Sequence, residues 1–293
     1  MIKVTFQLET LTPLFMYGAV QRTPEIRPPS IKGLIRYWWR AAKGCYFCGD
    51  INRMKKKEEE IFGGTEAGAK YKLKVINNGK GLQKVRYPLL PHREDRRVSL
   101  ESFKPTQSIN LEFEFYDTTN KDEILTAFKI SVLLGSFGKR ARRGFGSLWI
   151  KDGDRKIIND VISINTPQNF LKAVMELLNK LAPNCYEIKD GRIINKKLKS
   201  HKCGCNFPVI EEVLIGRRGN WHNLLRHIGG ASSTYRDPSL GSGSPRMASP
   251  VWVSIKRIGD DHHIVIVKLL PRYPRNYPRV NYSQLNNFVR RLR

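Results

Sequence analysis

The stretch Gly135-Ser136-Phe137-Gly138-Lys139-Arg140-Ala141-Arg142-Arg143-Gly144-Phe145-Gly146-Ser147 sets four glycines, four cations and two aromatics within thirteen positions. Desolvating cations so closely spaced is costly without partners, so the stretch is expected at a surface. Its glycines permit positive φ and close backbone approach. Gly138 with Lys139, Arg140, Arg142 and Arg143 offers the charge-assisted hydrogen bonds that hold phosphate. It matches neither the GxGxxG nor the GxxxxGK[ST] fingerprint, and it lies after a helix-like and before a strand-like segment, the reverse of a P-loop. A polyanion cradle is the expectation; an ordinary basic helix-to-strand turn is the plainer alternative.

The elements around it follow from hydrophobic period. Ile2, Val4, Phe6 and Leu8 alternate as on a half-buried strand. Ser30 is a candidate N-cap for a helix carrying Ile31, Leu34, Ile35, Trp38 and Ala42 on one face. Residues 44–69 are charged and glycine-rich, with a short helix expected around 58–62. Tyr71–Ile76 reads as a strand and residues 77–108 as a long basic connection. Ile109, Leu111, Phe113 and Phe115 alternate; Ile124, Phe128, Val132 and Gly135 space like a helix; Phe145–Ile150 returns as a strand. The order β-α-β-β-α-β is the ferredoxin-like pattern, also that of the RNA-recognition motif. Asn110-Leu111-Glu112-Phe113-Glu114-Phe115 is acidic on its polar face, a poor platform for stacking bases, so any RNA contact is expected on loops and helix ends.

The second half is less regular. Helices are expected at 170–181, 221–228 and 283–292, a strand at 209–215, a Gly/Ser-rich loop at 229–245, and a hairpin of 251–258 with 264–270. The expected class is α+β: a ferredoxin-like domain over 1–152 and a degenerate, irregular ferredoxin-like domain over 153–293, with a basic cleft.

Charge narrows the function. The chain carries 52 Lys+Arg against 26 Asp+Glu, a net +26, divided almost evenly between the halves. The excess belongs to the body of the protein rather than to a tail, and nucleic acid is the usual partner of such a domain. No apolar run nears the roughly 18 residues that span a bilayer, and the first residues lack a signal-peptide core, so a cytoplasmic location is expected. Five cysteines do not suggest a disulfide framework. Cys45 and Cys48, with Cys203 and Cys205, offer a weak zinc reading or a disulfide; no metal or cofactor is expected.

On the first helix, Lys32, Arg36, Arg40 and Lys43 form a basic stripe with Trp39 at its edge. No acidic residue stands at i±4, and like charges at that spacing destabilise a helix, so an external counter-ion is expected. Arg217, Arg218 and Arg246 are the second-half candidates for phosphate contact. His222, His227 and the pair His262-His263 fall on a short helix and a turn, and no acidic cluster suggests a reaction centre.

The segments Thr12-Pro13-Leu14-Phe15, Arg27-Pro28-Pro29-Ser30-Ile31-Lys32-Gly33-Leu34-Ile35-Arg36-Tyr37-Trp38-Trp39-Arg40-Ala41 and Ile61-Phe62-Gly63 resemble the RAMP superfamily, and within it the first-subunit family of type III-B CRISPR–Cas (Cmr) effector complexes. Residues 135–147 are similar to the glycine-rich loop of that superfamily, and Ser244-Pro245-Arg246-Met247-Ala248-Ser249-Pro250 to a pattern near its C-terminus. The resemblance implies two ferredoxin-like domains around a basic cleft, and a non-catalytic role holding single-stranded guide and target RNA beside other Cmr/RAMP subunits in antiviral defence. The rival expectation is a metal-independent RAMP-type endoribonuclease processing guide precursors through a histidine.

Overall fold

In the computed structural model, residues 1–293 are described except 21, 48, 67, 77–80, 94–97, 201–206, 271, 272, 274–276 and 278–280, and the side chains of 199 and 200. The first strand, β1 (Ile2–Thr10), leads to α1 (Pro28–Lys43), a 3-10 turn over Gly44–Phe47, and α2 (Ile51–Phe62). Then come β2 (Tyr71–Val75), a separate hairpin of β3 (Lys84–Pro88) and β4 (Ser99–Phe103), β5 (Ser108–Phe115), α3 (Lys121–Leu134) and β6 (Leu148–Gly153). The sheet order is β2-β5-β1-β6, antiparallel throughout. Val4 faces Phe113, Phe6 faces Leu111 and Leu8 faces Ile109, so the alternating apolar residues share one face and pack on α3, where the Phe6 and Phe128 rings lie 4.7 Å apart. On the other face Lys3 meets Glu114 at 3.2 Å and Lys74 pairs with the same carboxylate. That surface neutralises itself.

Two local expectations are corrected. Arg27, not Ser30, is the N-cap of α1, and Pro28 and Pro29 fill the first turn, where the N–H that proline lacks has no intrahelical acceptor. The long basic connection at 77–108 contains the hairpin β3–β4.

The second half runs α4 (Arg155–Ile162), α5 (Pro167–Leu181), β7 (Tyr186–Lys189), β8 (Arg192–Asn195), α6 (Lys196–Ser200), β9 (Val209–Gly219), α7 (Trp221–Thr234), the short hairpin β10 (Ser242–Gly243) with β11 (Arg246–Met247), then β12 (Val251–Ile258), β13 (Asp261–Leu270) and α8 (Tyr282–Leu292). Its five-stranded sheet has the order β12-β13-β9-β8-β7. Helix α7 continues through Gly229 and Gly230, so helix takes the start of the expected 229–245 loop. The result is a mixed α+β fold with antiparallel sheets.

One apolar core crosses the junction between the halves, joining Phe128 of α3, Leu177 of α5 and Val265 of β13. Trp38 of α1 meets Trp252 of β12 at 5.2 Å. A second cluster lies beneath α7 and α8, around Phe145, Leu225, Ile255 and Phe288. Lys256 is buried at the seam and donates to the Gly135 carbonyl at 2.7 Å; burial pushes its ammonium well below the usual lysine range.

Candidate nucleic-acid interface

The glycine-rich loop begins where α3 ends and is stapled to β12. Gly144 N–H donates to Val253 O at 2.8 Å, and Ile255 N–H donates to Ser147 Oγ at 3.0 Å. Gly138, Gly144 and Gly146 have φ of +80, +84 and +66°. A Cβ at Gly138 would lie 2.2 Å from Phe15 O, and one at Gly146 would lie 1.8 Å from Phe137 O. The positive φ expected of these glycines is present, the close backbone approach they allow is made to the loop's own neighbours, and Gly138 also lines the cleft described below. The Lys139 N–H is likewise spent internally, on Phe15 O at 2.7 Å.

The four cations do not behave alike. Lys139 is exposed, its ammonium 4.6 Å from the Tyr17 ring centroid. Arg140 adopts left-handed backbone (φ +56°), and burial holds its guanidinium below the usual arginine range. Arg142 lies 4.8 Å over the Trp252 ring, donates to Tyr37 Oη at 3.2 Å and bonds the Ser249 carbonyl. Arg143 is turned inward. Its guanidinium donates to the carbonyls of Val251 (3.3 Å) and Leu240 (3.2 Å), packs 5.3 Å from the Phe288 ring, and is pushed down by burial to about 10. Arg143 thus staples the loop to the second half while still lining the cleft described next.

Between this loop, α1 and the segment 240–252 opens a cleft of about 780 Å³. Helix α1 presents Ser30, Gly33, Leu34 and Tyr37 to it, spaced i, i+3, i+4, i+7 along one face. The loop contributes Gly138, Arg140, Arg142 and Arg143, and Trp252 also lines it. A Cβ on Gly33 would meet nothing within 4 Å. None of the lining residues is acidic or a histidine. Arg140 Nε and Trp252 Nε1 are buried without an acceptor among the described residues.

The basic stripe of α1 lies on a different face, and its counter-ion is internal. Glu58 of α2 accepts from Arg36 Nε at 2.7 Å and also from Arg40. Lys43 pairs with Glu123 of α3. Lys32 sits 4.6 Å from the Tyr71 ring centroid, and burial lowers its ammonium. Trp39 is fully buried and donates Nε1–H to Glu123 at 2.7 Å, so it has no face for a base. The four contacts expected on this helix, Lys32, Arg36, Trp39 and Arg40, are not among the residues lining the cleft, and neither is Lys43.

In the second half, Arg246 is exposed on the β10–β11 hairpin, which lends Ser242, Gly243 and Met247 to the cleft wall. Arg217 and Arg218 are exposed at the end of β9, with Arg218 3.6 Å from Asp261, and neither lines the cleft. His227 Nε2 is hydrogen-bonded to Arg291 O at 2.8 Å; His222, His262 and His263 also lie off the cleft. Cys45 is buried beside Cys185, whose hydrogen bond lowers the Cys45 thiol; Cys48, Cys203 and Cys205 fall outside the described residues. Among the described residues no cluster of His, Cys, Asp and Glu is arranged to hold a metal, and no helix is long and apolar enough to cross a membrane. Sequence reasoning missed Tyr37 and Trp252. The exposed Gly33, one turn before Tyr37 on the same face, was the available signal.

Comparison with known proteins adds lineage to this geometry. The pattern of the RAMP superfamily matches residues 7–149. The CRISPR system Cmr subunit Cmr1-2 of Pyrococcus furiosus is 30% identical over 186 residues, covering 52% of this chain and 96% of that protein. Cmr subunit Cmr1-1 of the same organism is 25% identical over 336 residues, covering 97% and 93%. Among solved structures, apo Cmr1 from Pyrococcus furiosus superposes with a TM-score of 0.69 at 20% identity, covering 100% of this chain and 96% of that one. A chain of a type III-B Cmr-beta complex bound to cognate target RNA superposes at 0.65 and 12% identity, covering 99% and 98%.

Proposed function

The chain belongs to the RAMP superfamily and is a homologue of Cmr1, a subunit of type III-B Cmr complexes, and from that premise we propose that it is a non-catalytic subunit that grips the backbone of single-stranded RNA in its central cleft. In this reading residues 1–152 and 153–293 are two ferredoxin-like units. The second is rearranged: β9-α7-β12-β13-α8 supplies three strands in the spatial order β12-β13-β9, and β8, which precedes them, occupies the place of the fourth.

The observation that carries the reading is the cleft itself. It is open, has cations and aromatic rings on its walls and holds no carboxylate. Arg142 is fixed by backbone and ring contacts, so little of its side-chain entropy remains to be lost on binding a phosphate. Trp252 and Tyr37 add apolar surface on which ribose or base can pack.

The geometry offers the endoribonuclease reading nothing specific, because no histidine or carboxylate reaches the cleft. Incubating the purified protein with repeat-containing RNA in chelator tests the non-catalytic role: intact RNA is the expected result, and site-specific cuts would overturn it. The proposed partners are single-stranded guide RNA with its target and the other Cmr/RAMP subunits.

A further inference from the structure

The glycine-rich loop has a second side. There, Tyr87 of β3 packs against Phe145 of the loop at 6.0 Å, Trp221 of α7 at 6.1 Å and His222 at 6.2 Å. Around these rings is a separate pocket of about 280 Å³, lined by Arg86, Arg93 and Arg226 together with Tyr87 and His222, and by no acidic residue. Arg86, Arg93, His222 and Arg226 are all exposed.

Between the pocket and the cleft, His92 is within electrostatic reach of a guanidinium from each. His92 lies against α7, where a Cβ on Gly229 would come within 2.5 Å of its Nδ1. Burial, and then the guanidiniums of Arg93, Arg140 and Arg236, push its imidazole below the ordinary range. Arg140 belongs to the cleft and Arg93 to the pocket, and both act on His92, which lies against α7.

We infer that a single RNA strand held in the cleft continues past His92 and places one nucleotide in the second pocket, its base against the Tyr87 and His222 rings, which both pack on Trp221, and its phosphates against Arg86, Arg93 and Arg226. The inference rests on the cleft reading above. Aromatic faces flanked by guanidiniums are what sequence-tolerant single-strand binding uses. An acidic peptide would satisfy the charges but leave the rings without a stacking partner.

Trp221 supplies the readout. Trp38, Trp39, Trp149 and Trp252 are buried, whereas Trp221 is partly exposed. Full-length protein is titrated with unstructured oligouridylates of four and about twelve nucleotides, following affinity and tryptophan fluorescence. The longer RNA is expected to bind at least about tenfold more tightly and to add, beyond the quench of cleft-lining Trp252 that the tetramer already gives, a further quench that is missing in Trp221→Phe. Arg86→Ala/Arg226→Ala, at two exposed positions, is expected to remove both the added quench and the gain with length while leaving the tetramer's affinity within about twofold. A length gain that survives in this variant, or an added quench with length that survives in Trp221→Phe, overturns the inference. Equal quenching by oligoglutamate overturns it in favour of an acidic protein segment. Wild-type protein that binds the tetramer but gains nothing with length overturns this inference alone; binding of neither RNA overturns the cleft reading first.

Discussion

Arg142 donates to the Tyr37 hydroxyl at 3.2 Å while its guanidinium sits 5.5 Å from the same ring. This contact ties the glycine-rich loop to α1 across the cleft and fixes the height of one cation above the floor. A lysine cannot reproduce it, because an ammonium lacks the planar fork that bonds Tyr37 and the Ser249 carbonyl together. Arg142→Lys is therefore expected to weaken RNA binding about tenfold although the charge is kept. Tyr37→Phe, which keeps the ring and loses only the hydroxyl, should cost about threefold. Equilibrium binding of a short single-stranded RNA reads both.

The α1 stripe is expected to separate stability from binding. Glu58 is buried and holds Arg36 and Arg40, so Glu58→Ala leaves two partly buried guanidiniums without their carboxylate. A loss of about 1–3 kcal/mol is expected, with the intrinsic affinity for RNA within twofold of wild type. Trp39→Phe should likewise cost about 1 kcal/mol through the lost bond to Glu123. Denaturant melts and binding assays on the same preparations check this. A large affinity loss without destabilisation would return the stripe to the RNA site.

Gly33 is a helix-interior glycine with open space where a Cβ would stand. Gly33→Ala is expected to stabilise the protein by about 0.5–1 kcal/mol. Gly33→Glu, which places a carboxylate in the cleft, should keep the fold and abolish RNA binding. Thermal melts and binding together distinguish a functional glycine from a structural one.

Stability should fall on mild acidification. Burial, ahead of neighbouring charges, lowers His92, His262 and His263 below the ordinary imidazole value near 6.5. As pH drops through that value, the unfolded chain takes up protons that the folded chain refuses. The contribution is therefore complete above about 6.5 and is lost as pH falls through the lowered folded values. The melting temperature is expected to be lower at pH 5.5 than at 7.5, and His92→Gln should reduce that difference.

Local pattern carried much of the fold. The alternation in β1, β5, β12 and β13 and the spacing in α3 and α5 mark these elements because each buries one face. The four-residue strands β7 and β8 are too short for a period to register, and β3–β4 hid among basic residues whose apolar partners lie on α7 and in the glycine-rich loop. The site was only half legible. Cation density located the loop, but the acceptors that turn Arg143 inward, Leu240 and Val251, stand about a hundred residues away. Glu58 was invisible for the same reason: an i±4 search sees only its own helix, and this counter-ion comes from the next one.

The central claim is that the cleft holds an RNA backbone electrostatically, and the salt dependence of binding tests it most directly. Arg140 and Arg142 stand in the cleft wall, Lys139 and Arg246 are exposed beside it, and Arg143 is held by carbonyls. With four cations thus available to phosphate, log K for a single strand should fall against log salt with a slope of about −3, and of about −1.5 in Arg140→Ala/Arg142→Ala. An affinity that is flat between about 50 and 300 mM salt, or a double variant that matches wild type in both affinity and slope, would contradict the account.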